Sequence, residues 1–219
     1  MESLEIMPVR IRITAILRKA IYSGEYKSGE ELSLTRIAAQ LGVSRTPVRE
    51  AFQALAAEGL ITLRMNKGAV VNPIDEPFIR DIFEMRTLLE SEAAARAAVR
   101  GMPSASILLK RLEGMEEDCR LGRADRGEYE ALNQEIHMEI WNAAGSRKLK
   151  SFLMELWNGP SAGPSPRDEA RHFQNSTAEH LRILKAIEDG KADAARAAMS
   201  GHIERSMENI LKIYGASGE

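Results

Sequence analysis

The stretch LGVSRTPVREA at residues 41–51 decides how the first part of this chain is interpreted. The glycine at its second position ends a short helical pattern over Leu34–Leu41. Ser44 is a good N-cap for a second helix over residues 45–58, and Pro47 fits its first turn, where a missing N–H costs little. Two short helices joined by a glycine-containing turn are typical of a helix-turn-helix.

The residues that follow this pair predict a small β-hairpin. Residues 60–64 and 69–71 favour strands, and residues 65–68 between them carry the asparagine and glycine of a tight turn. Apolar residues at helical spacing over Val9–Tyr22 predict a further helix before the pair. Together these elements predict a winged helix-turn-helix between about residues 31 and 72.

The start of the second helix carries side chains suited to DNA. Ser44, Arg45, Thr46 and Arg49 lie on its exposed first turns. Hydroxyls and backbone N–H groups at a helix N-terminus hold phosphates, and an arginine can bond bidentately to guanine in the major groove. The alternative is an ordinary solvated helix start. The preceding helix, the turn and the wing together favour a site for double-stranded DNA.

The rest of the chain has the pattern of a helical bundle. Aromatic residues make up only 5 % of the chain, and Ala, Leu, Glu and Arg dominate its second half, a bias that favours helix. Glycines and prolines interrupt the pattern. We therefore expect a mainly α fold with a DNA-binding domain over residues 1–73 and an all-α antiparallel bundle over residues 76–219. The predicted helices cover residues 77–100, 104–121, 126–144, 147–157, 168–189 and 192–214.

Charge and cysteine content narrow the class of protein. The net charge is −2, but residues 1–75 carry 10 Lys and Arg against 8 Asp and Glu, whereas the rest carries 20 against 24. The excess of positive charge in the first part has the right sign for DNA. The single cysteine excludes an intrachain disulfide and a cysteine metal cluster. Because no 18-residue apolar run or signal peptide is found, we expect a cytoplasmic protein.

Three of the four histidines have a spacing that suggests a metal site. Asn133 and His137 are four residues apart and share one helix face. His180 and His202 fall on the next two long helices, at similar distances from the turn at Gly190. Three imidazoles and one oxygen ligand suit a divalent transition metal such as Zn²⁺ or Ni²⁺, with open positions for an effector. A lone histidine on a helix is usually structural, and we expect the fourth, His172, to be exposed.

The first part of the chain resembles the bacterial GntR family. The resemblance rests on residues 41–51, on the Glu-Gly-Leu at residues 58–60 and on the glycine-tipped wing. It implies that Arg45 and Arg49 reach bases or phosphates and that Thr46 holds a phosphate. Gly68 would let the wing approach the minor groove, with Arg36 and Lys67 as lesser contacts.

The second part resembles the FCD-type C-terminal domain of the FadR subfamily. The matching pieces are residues 86–90, 133–140 and 179–190, together with His202. The resemblance implies that an Asp and three His hold a metal that helps to bind a small carboxylate effector. This chain has Asn133 where Asp is usual, and a neutral amide oxygen binds metal more weakly. Ile136 and Ser146 also differ from the residues that are usual in this family, and these differences bear on which effector the pocket would bind.

Arg86 is the candidate that would grip the effector carboxylate, because a guanidinium can pair with it bidentately. The alternative for Arg86 is a salt bridge to Glu90, four residues later on the same helix face.

These patterns predict a homodimeric transcriptional regulator, of the repressor type, on a palindromic operator. A small carboxylate bound in a metal-containing helical pocket would modulate its affinity for the operator. One alternative makes the metal ion itself the signal. Another is a metalloenzyme with a DNA-binding head, but the chain has no His-Glu-x-x-His motif, and Glu135 and Glu179 are expected to point off the ligand face. We therefore predict no enzymatic activity.

Overall fold

The computed structural model describes residues 9–22, 24–65, 68–157 and 166–215. The chain divides into two compact units, Met1–Asp75 and Glu76–Glu219. The described residues form nine helices and three short strands, which confirms the prediction of a mainly helical chain with a small sheet. Among the described residues, none of the helices combines the length and the hydrophobicity that a membrane span requires.

The N-terminal unit contains the predicted helix-turn-helix. Ser33 caps the first helix of the pair by accepting a hydrogen bond from the Arg36 N–H, and Gly42 ends that helix with a left-handed backbone. Ser44 has the extended backbone of an N-cap but makes no side-chain capping bond. The elements in chain order are α1 (Val9–Tyr22), β1 (Glu31–Leu32), α2 (Leu34–Leu41), α3 (Arg45–Ala57), β2 (Ile61–Arg64) and β3 (Gly68–Val71).

The wing is an antiparallel sheet of three strands in the order β1-β3-β2, where the sequence predicted a two-stranded hairpin. Strand β1 pairs Glu31 with Val70 and Leu32 with Ala69. It was missed because two residues are too short to show an alternating pattern. Part of the predicted turn, residues 66–67, lies outside the described residues.

Helix α1 is joined to the helix-turn-helix by packing and by one ion pair. Leu17 of α1 and Phe52 and Leu55 of α3 are buried in the core of this unit. The Arg18 guanidinium donates to both carboxylate oxygens of Glu58, at 2.8 and 2.6 Å. Because a bidentate pair has a defined geometry, this ion pair helps to fix the orientation in which α1 packs on the end of α3.

The C-terminal unit consists of helices whose described limits agree with the predicted ones to within a few residues. The most extensive contacts are between α4 and α9 and between α5 and α8. Ala93, Ala94, Ala97 and Ala98 are buried on α4, and their small side chains allow a close approach of the neighbouring helices. The helices are α4 (Glu76–Arg100), α5 (Ala105–Arg120), α6 (Arg126–Ala143), α7 (Arg147–Leu156), α8 (Pro166–Glu188) and α9 (Ala192–Gly215).

Gly68 gives a test of how the wing is built. It is buried, its φ is +103°, and a Cβ there would overlap the Leu32 carbonyl of β1. We expect Gly68→Ala to destabilise the N-terminal unit by about 1–3 kcal/mol more than Gly24→Ala. Gly24 is a matched control because it also has a positive φ, of +75°, but has open space around it.

The measurement is native-state hydrogen exchange of the α3 amides, which reports opening of this unit. Equal protection in the two variants would show that the close approach of β1 does not require the glycine.

Candidate functional site

Three buried histidines meet inside the C-terminal unit. His137 of α6, His180 of α8 and His202 of α9 are each at most 4 % exposed. One ring nitrogen from each lies within 4.8 Å of the others, and the Nε2 atoms of His137 and His180 are 3.1 Å apart. Nitrogens bound to one tetrahedral zinc ion lie about 3.4 Å apart. The three histidines, called the histidine cluster below, therefore form a group that could hold a metal ion.

Two of these imidazoles contact a carboxylate through Nδ1. Glu90 Oε2 is 2.5 Å from His137 Nδ1, and Glu179 Oε2 is 2.8 Å from His202 Nδ1. A carboxylate at Nδ1 favours the tautomer that carries its proton there and leaves the Nε2 lone pair for a metal.

Glu90 is fully buried and joins α4 to α6. Its Oε1 accepts hydrogen bonds from Nε and Nη2 of Arg86, at 2.9 and 2.8 Å, and its Oε2 lies 3.3 Å from the Trp141 indole nitrogen. Burial by itself would raise the pKa of Glu90, but the electrostatic interactions and hydrogen bonds with His137 and Arg86 outweigh it and lower the pKa to about 2. Glu90 is therefore an ionised carboxylate held by charged and polar partners.

Arg86 makes the salt bridge to Glu90, which was one of the two roles that the sequence allowed for this arginine. Arg86 is 9 % exposed as a residue, and its guanidinium carbon lies 5.0 Å from the ring centres of both Phe83 and Trp157. Its role toward an effector stays a prediction. Asn133 is half-buried on α6, one turn before His137, and its role as a ligand also stays a prediction.

Burial favours the neutral, metal-binding form of two imidazoles of the cluster, His180 and His202. Desolvation, reinforced by the neighbouring His202 and His137, lowers the pKa of His180 well below its usual value. Desolvation also lowers the pKa of His202 to about 4, although the hydrogen bond to Glu179 acts in the opposite direction. Neutral nitrogens are available at pH 7 without displacement of a proton.

Glu179 was expected to point away from the cluster, and this is wrong. It accepts hydrogen bonds from Nε and Nη2 of Arg205, at 2.5 and 2.7 Å, besides contacting His202. The spacing of His202 and Arg205, on the helix that follows Glu179, is a signal that could have found this contact. Glu135 does point outward, where it pairs with Arg111 at 2.7 Å.

The expectation that His172 is exposed is also wrong, since it is 3 % exposed. His172 lies on α8, as the predicted helix over residues 168–189 implied, but its side chain faces the neighbouring helices α6 and α9. Its Nε2 is 3.3 Å from the Tyr129 hydroxyl, and its Nδ1 faces Arg205 Nη1 at 3.3 Å and Asn209 Nδ2 at 3.2 Å. It is not part of the histidine cluster.

The side chains predicted to contact DNA lie at the surface of the N-terminal unit. Ser44, Arg45, Thr46 and Arg49 are exposed at the start of α3, while Val48 and Phe52 of the same helix are buried. The helix therefore presents its polar face outward.

The other residues predicted to contact DNA differ from one another in exposure and in their neighbours. Arg36 is exposed but lies 3.5 Å from Glu30, which partly offsets its charge. Gly68 is buried against β1, and Lys67 lies outside the described residues. The DNA contacts of these residues stay predictions.

Two family models match the chain. The model described as "Bacterial regulatory proteins, gntR family" matches residues 10–71, and "FCD domain" matches residues 81–205, more than half of the chain. The chain belongs to the GntR family of bacterial regulators. Its C-terminal unit carries an FCD domain, which confirms the resemblance found in the sequence.

Relatives of this GntR-family protein are named as regulators. The Nta operon transcriptional regulator of Aminobacter aminovorans is 28 % identical over 191 residues, covering 87 % of this chain and 89 % of its own. The "Probable D-xylose utilization operon transcriptional repressor" of Paenarthrobacter nicotinovorans is 30 % identical, covering 84 % of this chain and 80 % of its own. The structure of E. coli McbR/YncC covers 95 % of this chain and 100 % of its own with a TM-score of 0.73, and its 19 % identity shows the fold alone.

His172 gives a pH-dependence test of this interior. Burial, reinforced by the charge of Arg205, lowers the pKa of His172 to about 4. A histidine with a lowered pKa is protonated first in the unfolded chain, so its contribution to stability is complete above pH ~6.5 and is lost as the pH falls toward 4. We expect His172→Gln, whose amide does not titrate, to reduce this loss by on the order of 3 kcal/mol at pH 4.

Urea unfolding of chelator-treated protein between pH 7.5 and 4 provides the measurement. The chain's two tryptophans, Trp141 and Trp157, both lie in this unit and report its unfolding by fluorescence. Wild-type protein supplies the reference curve, in which His180 and His202 titrate as well. The same pH dependence in both proteins would contradict a neutral, buried His172.

Proposed function

We propose that this protein is an effector-responsive repressor that binds operator DNA through α2, α3 and the wing. Its histidine cluster would hold zinc or nickel in a pocket that receives a small carboxylate. The proposal of a metal and an effector rests on one observation: three buried imidazoles lie close together, and two of them contact carboxylates through Nδ1. A relative named as a repressor supports the direction of regulation.

The donor set fits a transition metal. Neutral imidazole nitrogens suit Zn²⁺ and Ni²⁺, and hydrogen-bonded carboxylates behind them hold the rings in place and raise their basicity. We propose Asn133 as the oxygen ligand, since its helix position is one turn from His137. A bound ion would supply open coordination positions for an effector carboxylate.

Arg86 is proposed to contact the effector in addition to its salt bridge. Its Nε and Nη2 atoms contact Glu90, and the third nitrogen, Nη1, belongs to the same rigid, planar group. An anionic effector near Arg86 would alter the Arg86–Glu90–His137 contacts. This is how effector binding could reach the helices that carry the cluster.

Operator binding is proposed to involve a homodimer on a palindromic site, because two-fold protein symmetry matches two half-sites. If the effector weakens DNA binding by some factor, DNA weakens effector binding by the same factor. In the second candidate function the metal alone is the signal. Titrating metal against operator DNA, with and without a panel of small carboxylic acids, separates the two.

Arg49 tests the DNA-binding surface. We expect Arg49→Ala to weaken binding to DNA selected from a random library by the wild-type protein, by about 1–3 kcal/mol, because one good base contact is lost. Binding is measured by fluorescence anisotropy at fixed salt. Arg12→Ala, which removes an exposed arginine of α1, is the matched control. Unchanged affinity in a folded Arg49→Ala protein would remove Arg49 from the site.

The histidine cluster is tested by metal content. We expect His137→Ala/His180→Ala to lose the zinc or nickel that the wild-type protein retains after loading and desalting, because two of its three nitrogen ligands are gone. Elemental analysis by mass spectrometry measures the ratio of metal to protein. His172→Gln is the matched control, since it alters a buried histidine outside the cluster. A wild-type protein that retains no metal after loading would contradict the proposed site.

Asn133 is tested by restoring a charge. If Asn133 is the oxygen ligand, Asn133→Asp should bind Zn²⁺ more tightly, because a carboxylate adds a negative charge to an otherwise neutral ligand set. Competition with a chromogenic chelator measures the affinity, and Asn142→Asp, an exposed change on the same helix, is the control. Equal affinities in wild type and Asn133→Asp would exclude Asn133 as a ligand.

A further inference from the structure

A second polar site lies between α8 and α9, apart from the histidine cluster. It is a cavity of about 160 Å³ that contains none of the three clustered histidines among its lining residues. The polar lining comes from Arg171, His172 and Asn175 of α8 and from Arg205, Asn209 and Lys212 of α9.

The spacing of these residues places them on facing surfaces of two helices. Arg171 and Asn175 are four residues apart on α8, and Arg205, Asn209 and Lys212 follow at intervals of four and three on α9. Such intervals put side chains on one helix face. The cavity is therefore built from two aligned helix faces of the folded unit.

The charge of the lining favours an anion. Three lining side chains are cationic, and Glu208 is the only carboxylate among the described lining residues. Arg205 is paired with Glu179, but within the described part of the chain neither Arg171 nor Lys212 forms an ion pair. The positive charge that faces the cavity thus exceeds the negative charge.

The hydrogen-bonding groups point to the same class of ligand. His172 Nδ1, the acceptor in this wall, already faces Arg205 Nη1 and Asn209 Nδ2. Burial and the charge of Arg205 lower the pKa of His172, so it adds no charge of its own at pH 7. Arginine, lysine and amide side chains remain as donors, which suits an acceptor-rich oxyanion.

We propose that this cavity binds a small oxyanion of the phosphate class. Inorganic phosphate is the simplest member of this class and is the ligand with which the site is tested. Arg205 belongs to both regions, since it lines the cavity and also holds Glu179, the carboxylate partner of His202.

Calorimetric titration of inorganic phosphate into the full-length protein tests this site. We expect saturable binding that Arg171→Ala/Lys212→Ala weakens by about tenfold or more, because two charge-assisted contacts are lost. Arg182→Ala/Lys185→Ala removes the same charge from exposed positions of α8 outside the cavity lining and should leave the affinity unchanged.

Glu208→Gln tests the proposal in the opposite direction. Removing the lining carboxylate should strengthen phosphate binding several-fold, a gain that damage to the fold would not produce. Weaker or unchanged phosphate binding in Glu208→Gln would show that the Glu208 carboxylate does not repel an anion in this cavity, and it would overturn the proposal.

Chelator-treated protein separates this site from the histidine cluster. Phosphate binding should persist without metal, and its loss would place the phosphate on the metal instead. The proposal is also overturned if wild-type protein shows no saturable phosphate binding or if Arg171→Ala/Lys212→Ala binds as wild type does. Tighter binding of succinate than of phosphate in the same titration would show that the cavity prefers a carboxylate, and it would overturn the assignment of a phosphate-class ligand.

Discussion

The buried carboxylate of Glu90 is the group around which the interior of the C-terminal unit is arranged. An ionised carboxylate without solvent costs several kcal/mol unless charged and hydrogen-bonding partners surround it. Here Arg86 lies on one side, and His137 and Trp141 lie on the other. Because these partners come from α4 and α6, compensation of one charge holds two helices together and directs the His137 ring toward α8 and α9.

The same arrangement occurs a second time with different helices. Arg205 holds Glu179, and Glu179 holds His202, as Arg86 holds Glu90 and Glu90 holds His137. In each chain of contacts the arginine neutralises the carboxylate while the carboxylate orients an imidazole. Three close imidazoles would repel one another if protonated, and their burial keeps the pKa of His180 and His202 low. The two chains of contacts therefore orient two of the three imidazoles, and burial favours the neutral form of His180 and His202.

Most of the fold could be predicted because its signals are local. Gly42 ends α2, and the residue before Arg45 has the extended backbone of an N-cap, so the helix-turn-helix follows from neighbouring residues alone. Strand β1 has no such signal, because Glu31–Leu32 becomes a strand only by pairing with β3. The helices of the C-terminal unit were likewise marked by glycines and prolines, whereas the burial of His172 depended on how α6 and α9 pack against α8.

The sequence by itself determined the family, the helix limits, the polar face of α3 and the three histidines that meet, because periodicity and motif spacing survive without knowledge of packing. Only the tertiary structure decided which groups lie behind those histidines. Glu90 and Glu179 are distant in sequence from His137 and His202, respectively, and reach them through packing of separate helices. The requirement for glycine at position 68 also comes from tertiary structure, because a Cβ there would overlap the Leu32 carbonyl of another strand. Contacts between elements depend on their relative placement, which no local pattern records.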